Sequence, residues 1–328
     1  MRSLYLYPPV TKNGVNPYTR NFKKSLAKYY KLRDAQNRIS RIKSGPLLRY
    51  SFNTDVFILN WIESVGHLKF GVIQMLIAII ALQIIKIRRK KVIWIFHNIQ
   101  PHEGETWKSI VMKRYMFNNA NLIISHSKEA TQYASKFAKC NVQYECHPIE
   151  SVNYNCSLLG EGEKSDIIIW GWVTPYKGIP EFLENCAKRL QDMKIHIIGK
   201  CNDDQLANRI IKYTNDKIVF DNRKAEFSEI ATLVSNSKYV VFPYIGDSIS
   251  SSGVLIDTLV MGGTPVGPNR AAFKDLNEDQ VCLVYDNYEE LVSILQSDLK
   301  IDSHKRARFM KDNSWEKFAY KIYKFLNE

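Results

Sequence analysis

"DVFILNWIE" (residues 55–63), "LKFGVIQMLIAIIALQIIKIRRKK" (68–91) and "VIWIFHNIQPHEGE" (92–105) follow one another with short gaps. The middle segment is apolar for nearly the thickness of a bilayer. Yet it lies between two strand-like runs, at the spacing of a strand–helix–strand crossover. A spanning helix would put those runs on opposite sides of a membrane, and Gln74 and Gln83 interrupt it. The stretch therefore predicts two parallel strands joined by a buried or interfacial helix over residues 70–87. Its polar end, with His97, Asn98, His102 and Glu103, then stands beyond the carboxyl end of a strand, where open α/β sheets bind ligands. Metal ligands, catalytic groups or a merely polar loop are the readings open at this point.

The same alternation runs outward in both directions. Before it come a strand at "RSLYLYP" and a basic helix through "TRNFKKSLAKYYKLRD". After it come a helix at 107–118, a strand "NLIISHS" and a helix "EATQYASKFA". "ESVNYNCSLLGEGEKS" reads as a linker; its "GEGEKS" lacks the G-K-[ST] ending of a phosphate-binding P-loop. A second series of strands, from "DIIIWGWV" through "KIHIIG", "KIVFDN" and "YVVFPY", is again separated by helices. Two such series predict α/β architecture: two doubly wound parallel-sheet, Rossmann-like domains facing a cleft.

Charge is distributed unevenly. Residues 1–90 hold 17 Lys and Arg against 3 Asp and Glu, whereas the remaining 238 hold 29 against 30. The whole net charge of +13 thus belongs to the first quarter of the chain. An anionic partner is expected there: a membrane surface, a phosphate-bearing substrate or nucleic acid. No nucleic-acid module or aromatic–basic RNA motif is present, so nucleic acid ranks last. The six cysteines form no C-x-x-C pair and no metal spacing, which predicts free thiols in a reducing compartment.

Two short motifs point to anion binding in the second half. Lys177 follows a strand ending at Gly171, in a loop suited to a phosphate. Ser250, Ser251, Ser252 and Gly253 precede a helix, whose first-turn N–H groups suit an anion. Taken singly, a surface lysine and an ordinary serine cap explain them as well.

Together the motifs resemble the glycosyltransferases of the GT-B fold, in particular the family 4-like, group 1 enzymes. Pro175-Tyr176-Lys177-Gly178 matches the family's glycine-to-lysine element, and Gly263-Thr264-Pro265-Val266 matches the G-x-P-V end of its donor helix. Ser252-Gly253 matches a subset's helix start. His97-Asn98-Ile99-Gln100-Pro101-His102-Glu103 matches that subset's H-N-x-x-P-H-E element. The resemblance spans nearly the whole chain. It implies an N-terminal acceptor domain (1–155, with the helix at 312–328 packing back on it) and a C-terminal donor domain (156–311).

The resemblance further implies a hexosyltransferase-like enzyme acting in cell-surface polysaccharide synthesis. It would move a sugar from a nucleotide-diphosphate donor to a glycan or lipid-linked acceptor. The implied donor residues are Gly171, Lys177, Asn222, Arg223, Tyr244, Ser250, Ser251, Ser252, Gly253 and Asp257. The implied catalytic residues are Glu103, His97, Asn98 and His102. No cofactor and no metal are expected, since a lysine and a helix N-terminus offset the diphosphate charge. His126, His147 and His196 read as structural. The expected place is cytoplasmic, peripheral on the inner face of the cell membrane, held by the basic N-terminal domain. The chain departs from the family where an arginine would precede the lysine (Trp172, Thr174), and where two glutamates would stand (Ser250, Thr258). A catalytically decayed nucleotide-sugar or glycan-binding protein is therefore the second expectation, and Glu103 as a plain helix cap is the alternative to its catalytic role.

Overall fold

A computed structural model describes residues 1–9, 16–33, 42–100, 104–150, 164–246 and 252–327. The chain divides into two compact units, Met1–Pro148 with Asn313–Glu328, and Ile149–Asp312. The predicted linker falls almost wholly outside the described residues, as do Ser250, Ser251, His102 and Glu103.

Unit 1 is built on six parallel strands: β1 (Ser3–Tyr7), β2 (Lys31–Arg33), β3 (Val56–Asn60), β4 (Lys91–Phe96), β5 (Leu122–Ser125) and β6 (Asn141–Tyr144), in the order β2-β1-β3-β4-β5-β6. Side chains alternate across a strand, so each strand feeds two cores. Tyr5, Phe57, Trp94 and Phe96 bury one face beneath α3 (Gly71–Ile87), α4 (Trp107–Asn119) and α5 (Lys128–Ser135). Leu4, Ile58, Ile93 and Ile95 bury the other beneath α1 (Pro17–Leu26) and the C-terminal helix (Trp315–Asn327). Those two helices meet through Phe22 on Phe318 (5.1 Å between ring centroids), and Tyr29, in the turn after α1, stacks on Tyr323 (4.8 Å). A short α2 (Gly45–Tyr50) packs beside α3.

One expectation needed correction. The basic helix expected through "TRNFKKSLAKYYKLRD" stops at Leu26, and the chain turns into the edge strand β2, where Lys31 N–H donates to Arg2 O (3.0 Å). Past Leu26 the apolar residues Tyr30 and Leu32 recur every second position, a strand period that the flanking lysines hide. The helix expected over residues 70–87 as buried or interfacial is α3, half buried and with an exposed outer face that is itself apolar. Met75, Ala78, Ala81, Leu82 and Ile85 face the sheet, while Val72, Ile73, Leu76, Ile80 and Ile87 are exposed. Among the described residues no helix is long and apolar enough to cross a membrane.

Unit 2 repeats the plan with β7 (Ser165–Trp170), β8 (Ile195–Ile198), β9 (Ile218–Asp221), β10 (Ser237–Val241), β11 (Pro265–Pro268) and β12 (Leu283–Tyr285), ordered β12-β11-β10-β7-β8-β9. Counted from β7, that is the dinucleotide-fold order 3-2-1-4-5-6, which reverses between β7 and β10. Its helices are α6 (Ile179–Cys186), α7 (Asp204–Ile211), α8 (Phe227–Ser235), α9 (Gly253–Val260), α10 (Ala271–Glu278), α11 (Tyr288–Gln296) and α12 (Ser303–Asp312). Cys140, Cys146, Cys186, Cys201 and Cys282 are free thiols.

Candidate functional site

In unit 2 the reversal between β7 and β10 is where the loops after neighbouring strands diverge. β7 ends at Trp170, and Gly171 turns the chain in the left-handed region (φ 92°). A Cβ there would come within 3.1 Å of Lys177 Nζ and 3.4 Å of Val254 on α9, so only glycine brings the three together unstrained. Behind it, a Cβ on Gly199 would stand 2.0 Å from Gly171 O, so the end of β8 presses directly on this turn. The loop after β7 is tied to the loop after β10 by Ile245 N–H donating to Tyr176 O (2.8 Å), and Gly178 (φ 61°) passes against Pro243 O.

These ties aim Lys177. Its ammonium is buried (3% exposed), donates to Trp170 O (3.3 Å) and lies 5.9 Å from the Tyr244 ring centroid. Burial pushes its pKa down to about 8. A buried cation whose bonded partner here is a backbone carbonyl is poised for an anion. Ser252 caps α9, its hydroxyl accepting from Leu255 N–H (3.4 Å) and lying 3.4 Å from the Tyr244 hydroxyl. Gly253 opens α9 with open space where a side chain would stand.

Asp257 lies one turn further along α9. Burial, with the Glu150 carboxylate adding to it, raises its pKa to about 7. Thr258, where the resemblance would put a glutamate, is fully buried: its hydroxyl accepts from Trp170 Nε1–H (3.0 Å) and donates to Val254 O (2.9 Å). The structure thus groups Gly171, Lys177, Tyr244, Ser252 and Gly253. Asn222 and Arg223 follow β9, two strands from β7. There Asn222 Oδ1 accepts from Cys201 N–H (2.9 Å), and Arg223 forks onto Glu229.

In unit 1 the carboxyl ends of β3, β4, β5 and β6 converge on Tyr18 of α1. His97 stacks on Trp61 (4.2 Å between centroids, 14° between planes), and its Nε2 donates to Asn60 Oδ1 (3.1 Å). Asn60 in turn donates to Tyr7 O (2.9 Å), joining β3 to β1 at this sheet's own reversal. His126 Nδ1 donates to Glu145 O (2.7 Å), which leaves Nε2 to accept from the Tyr18 hydroxyl (2.7 Å). His147 Nδ1 donates to Pro148 O (3.0 Å). The rings of His97, His126, His147 and Trp315 all lie within 5.5 Å of Tyr18. Burial holds His97 well below the usual range, His126 at about 3 and His147 at about 4, so all three rings are neutral.

The loop that carries Asn98, and beyond the described residues His102 and Glu103, is anchored by a residue that sequence reasoning missed. Lys113 on α4 is buried and donates to Ile99 O (3.0 Å) and to the Glu105 carboxylate, gripping both ends of that loop. Helix α4 is capped by Thr106, which accepts from Ser109 N–H while Ser109 returns the bond. The N-cap of α4 is thus Thr106, while Glu103, the cap in one reading of the sequence, lies outside the described residues. His196 Nε2 lies 3.0 Å from Asp221 Oδ2 between β8 and β9. Among the described residues no three His, Cys, Asp or Glu side chains are grouped as a metal site.

Each unit is thus a six-stranded parallel sheet with polar groups gathered at its carboxyl edge. Solved structures share this plan over the whole chain. HepE from Anabaena, crystallised with UDP-glucose, superposes with a TM-score of 0.68 at 12% identity, covering 100% of both chains. The fold is GT-B. A trehalose-6-phosphate synthase, OtsA, matches this GT-B chain with a TM-score of 0.67 at 9% identity, covering 100% of it and 99% of its own length. A glycosyltransferase from Rickettsia africae matches with 0.64 at 13% identity, covering 100% and 99%. No protein-family model and no curated protein matches the sequence.

Proposed function

We propose that the chain is a glycosyltransferase, moving a hexose from a nucleotide-diphosphate-sugar to a glycan or lipid-linked acceptor in cell-surface polysaccharide synthesis. The observation that carries this reading is Lys177, a buried ammonium at the strand reversal beside the N-terminus of α9. Together they offer a diphosphate one full charge and a set of N–H donors, without calling on a metal. The UDP-glucose in the HepE structure supports a uridine diphosphate sugar as the donor. Gly171 and Gly253 leave room for the phosphates, Tyr244 and Ser252 border them, and Asp257 supplies a carboxylate for ribose hydroxyls. Ser250 and Ser251, which precede the cap in sequence, are assigned to the donor as well. Asn222 and Arg223 are assigned to the rim of the nucleotide pocket.

In unit 1, neutral His97 is assigned to sugar hydroxyls, held by Trp61 and Asn60. Glu103 is assigned to the acceptor hydroxyl proton, His102 to orienting it, and Asn98 to the shape of the turn. General acid–base groups contribute roughly 10²–10⁴-fold. Glu103→Gln should lower turnover of a UDP-, GDP- or ADP-sugar by at least about a hundredfold while donor affinity stays the same. A rate within a few-fold of the parent would remove Glu103 from the mechanism.

One observation favours a second reading. With Thr258 sealed against Trp170, the family's ribose-binding carboxylate has no counterpart at that position. A nucleotide-sugar-binding protein without turnover is the form this reading takes. Transfer or hydrolysis of any nucleotide-sugar by the parent chain rejects it.

A further inference from the structure

The outer surface of α3 and α4 combines features that the transferase reading leaves unused. The two helices lie side by side and run in the same direction. Near their starts, a Cβ on Gly71 would meet Lys108 Nζ at 3.1 Å; near their ends, Lys86 Nζ donates to Asn119 Oδ1 (2.7 Å). On α3 the exposed apolar residues Ile73, Leu76, Ile80 and Ile87 recur at helical spacing, and on α4 Trp107, Ile110 and Val111 do the same. Their stripes are adjacent and point away from the sheet, because the inward faces of both helices fill one core. A soluble protein seldom leaves two neighbouring helices with apolar outer faces.

Basic groups predominate around this face, and the Glu105 carboxylate just before α4 is held by Lys113. Residues 64–102 contain no Asp or Glu, and neither does α4. Lys86, Arg88, Arg89 and Lys91 crowd the C-terminal end of α3, all exposed, and among the described residues none of them pairs with a carboxylate. Lys90 is held by Asp55 (2.8 Å). Between the two helix ends lies a cavity of about 370 Å³, bordered by Lys86, Arg89, Lys90, Lys91 and the Asn119 and Asn121 side.

We infer that this α3–α4 face docks on an anionic lipid bilayer. The apolar stripes enter the boundary between headgroups and acyl chains, and the basic cavity receives a lipid phosphate. The helices lie on the membrane rather than in it, since none described is long enough to cross. A second copy of the chain is a poorer occupant, because it would oppose one cationic rim to another. A nucleic acid would match the rim but leave the apolar stripes in water. The inference does not depend on the transferase reading.

Flotation of the full chain with vesicles tests it, comparing phosphatidylcholine alone with phosphatidylcholine mixed with phosphatidylglycerol. The parent should float with the mixed vesicles, less so as salt rises, and not with the neutral ones. Each basic residue near such a surface contributes about fivefold in partitioning, so Lys86→Gln/Arg88→Gln/Arg89→Gln/Lys91→Gln should abolish recovery. Ile73→Ser/Leu76→Ser/Ile80→Ser should abolish it too, with a parent-like circular dichroism spectrum and cooperative thermal melt reporting that the chain is folded. Equal recovery with both vesicle types, or parent-like flotation of either variant, overturns the inference. So does a parent that is dimeric in light scattering, becomes monomeric in the serine variant and never floats. Should a variant fail to fold, the salt and lipid dependence of the parent alone decides.

Discussion

Glu63 is buried beneath the unit 1 sheet, where its carboxylate accepts from Trp94 Nε1–H (3.1 Å), and burial raises its pKa to about 7. Below about pH 4.5 it is protonated whether the chain is folded or not, so it costs nothing. Between there and about pH 7 only the unfolded chain ionises, and stability falls across that window. Glu63→Gln, which keeps an acceptor for Trp94, should stabilise the chain by on the order of 3 kcal/mol above pH 7 and by little near pH 4. Thermal melts of both proteins at the two pH values measure this; an equal difference at each would show that ionisation is not the cause. Lys177 gives the opposite kind of signature. Its pKa of about 8 means that a bound diphosphate must recruit a proton above that pH. Nucleotide affinity should hold steady below pH 8 and weaken above it, and titrations across pH 7–9.5 would reveal a flat profile if Lys177 is not at the phosphates.

At the scale of elements, the turn after β7 depends on glycines whose roles differ. Gly171 needs its positive φ, whereas Gly199 has an ordinary backbone and only needs to be small, because Gly171 O lies 2.0 Å from where its Cβ would be. Gly199→Ala must push the β7 turn and Lys177 aside. Such overpacking costs roughly 1–3 kcal/mol, so the variant should melt lower and lose nucleotide affinity together. Loss of neither would show that the turn has slack. The strand–helix alternation was legible because apolar runs and turn residues are local signals. Strand β2 was not, since three residues in a basic stretch carry too little pattern. For α3 the sequence left buried and interfacial both open for a related reason: a helix apolar all round gives no periodicity to say which side meets water. The grouping around Tyr18 had no local signal at all. His126, read as structural, gains its partner from a residue 108 positions away, and Lys113 sits unremarked among the polar residues of α4.

For the molecule as a whole, two sheets of the same plan carry different edges. One edge gathers neutral imidazoles and aromatic rings, suited to hydroxyl-bearing rings; the other gathers a buried cation and a helix N-terminus, suited to phosphate. Such a division of labour is what the motifs in combination, each weak when taken singly, led one to expect. The departures at Ser250 and Thr258 were readable as absences, but not that Thr258 holds the indole of Trp170. The central claim is that unit 2 binds a nucleotide-diphosphate-sugar through Lys177. Calorimetric titration of the full chain with UDP-glucose, and with GDP- and ADP-sugars in parallel, tests it most directly. A buried charge-assisted contact is worth roughly 1.5–3 kcal/mol, so the parent should bind one of these donors and Lys177→Ala should bind it about tenfold or more weakly. Binding of none of them by the parent, or equal binding by the variant, would contradict the account.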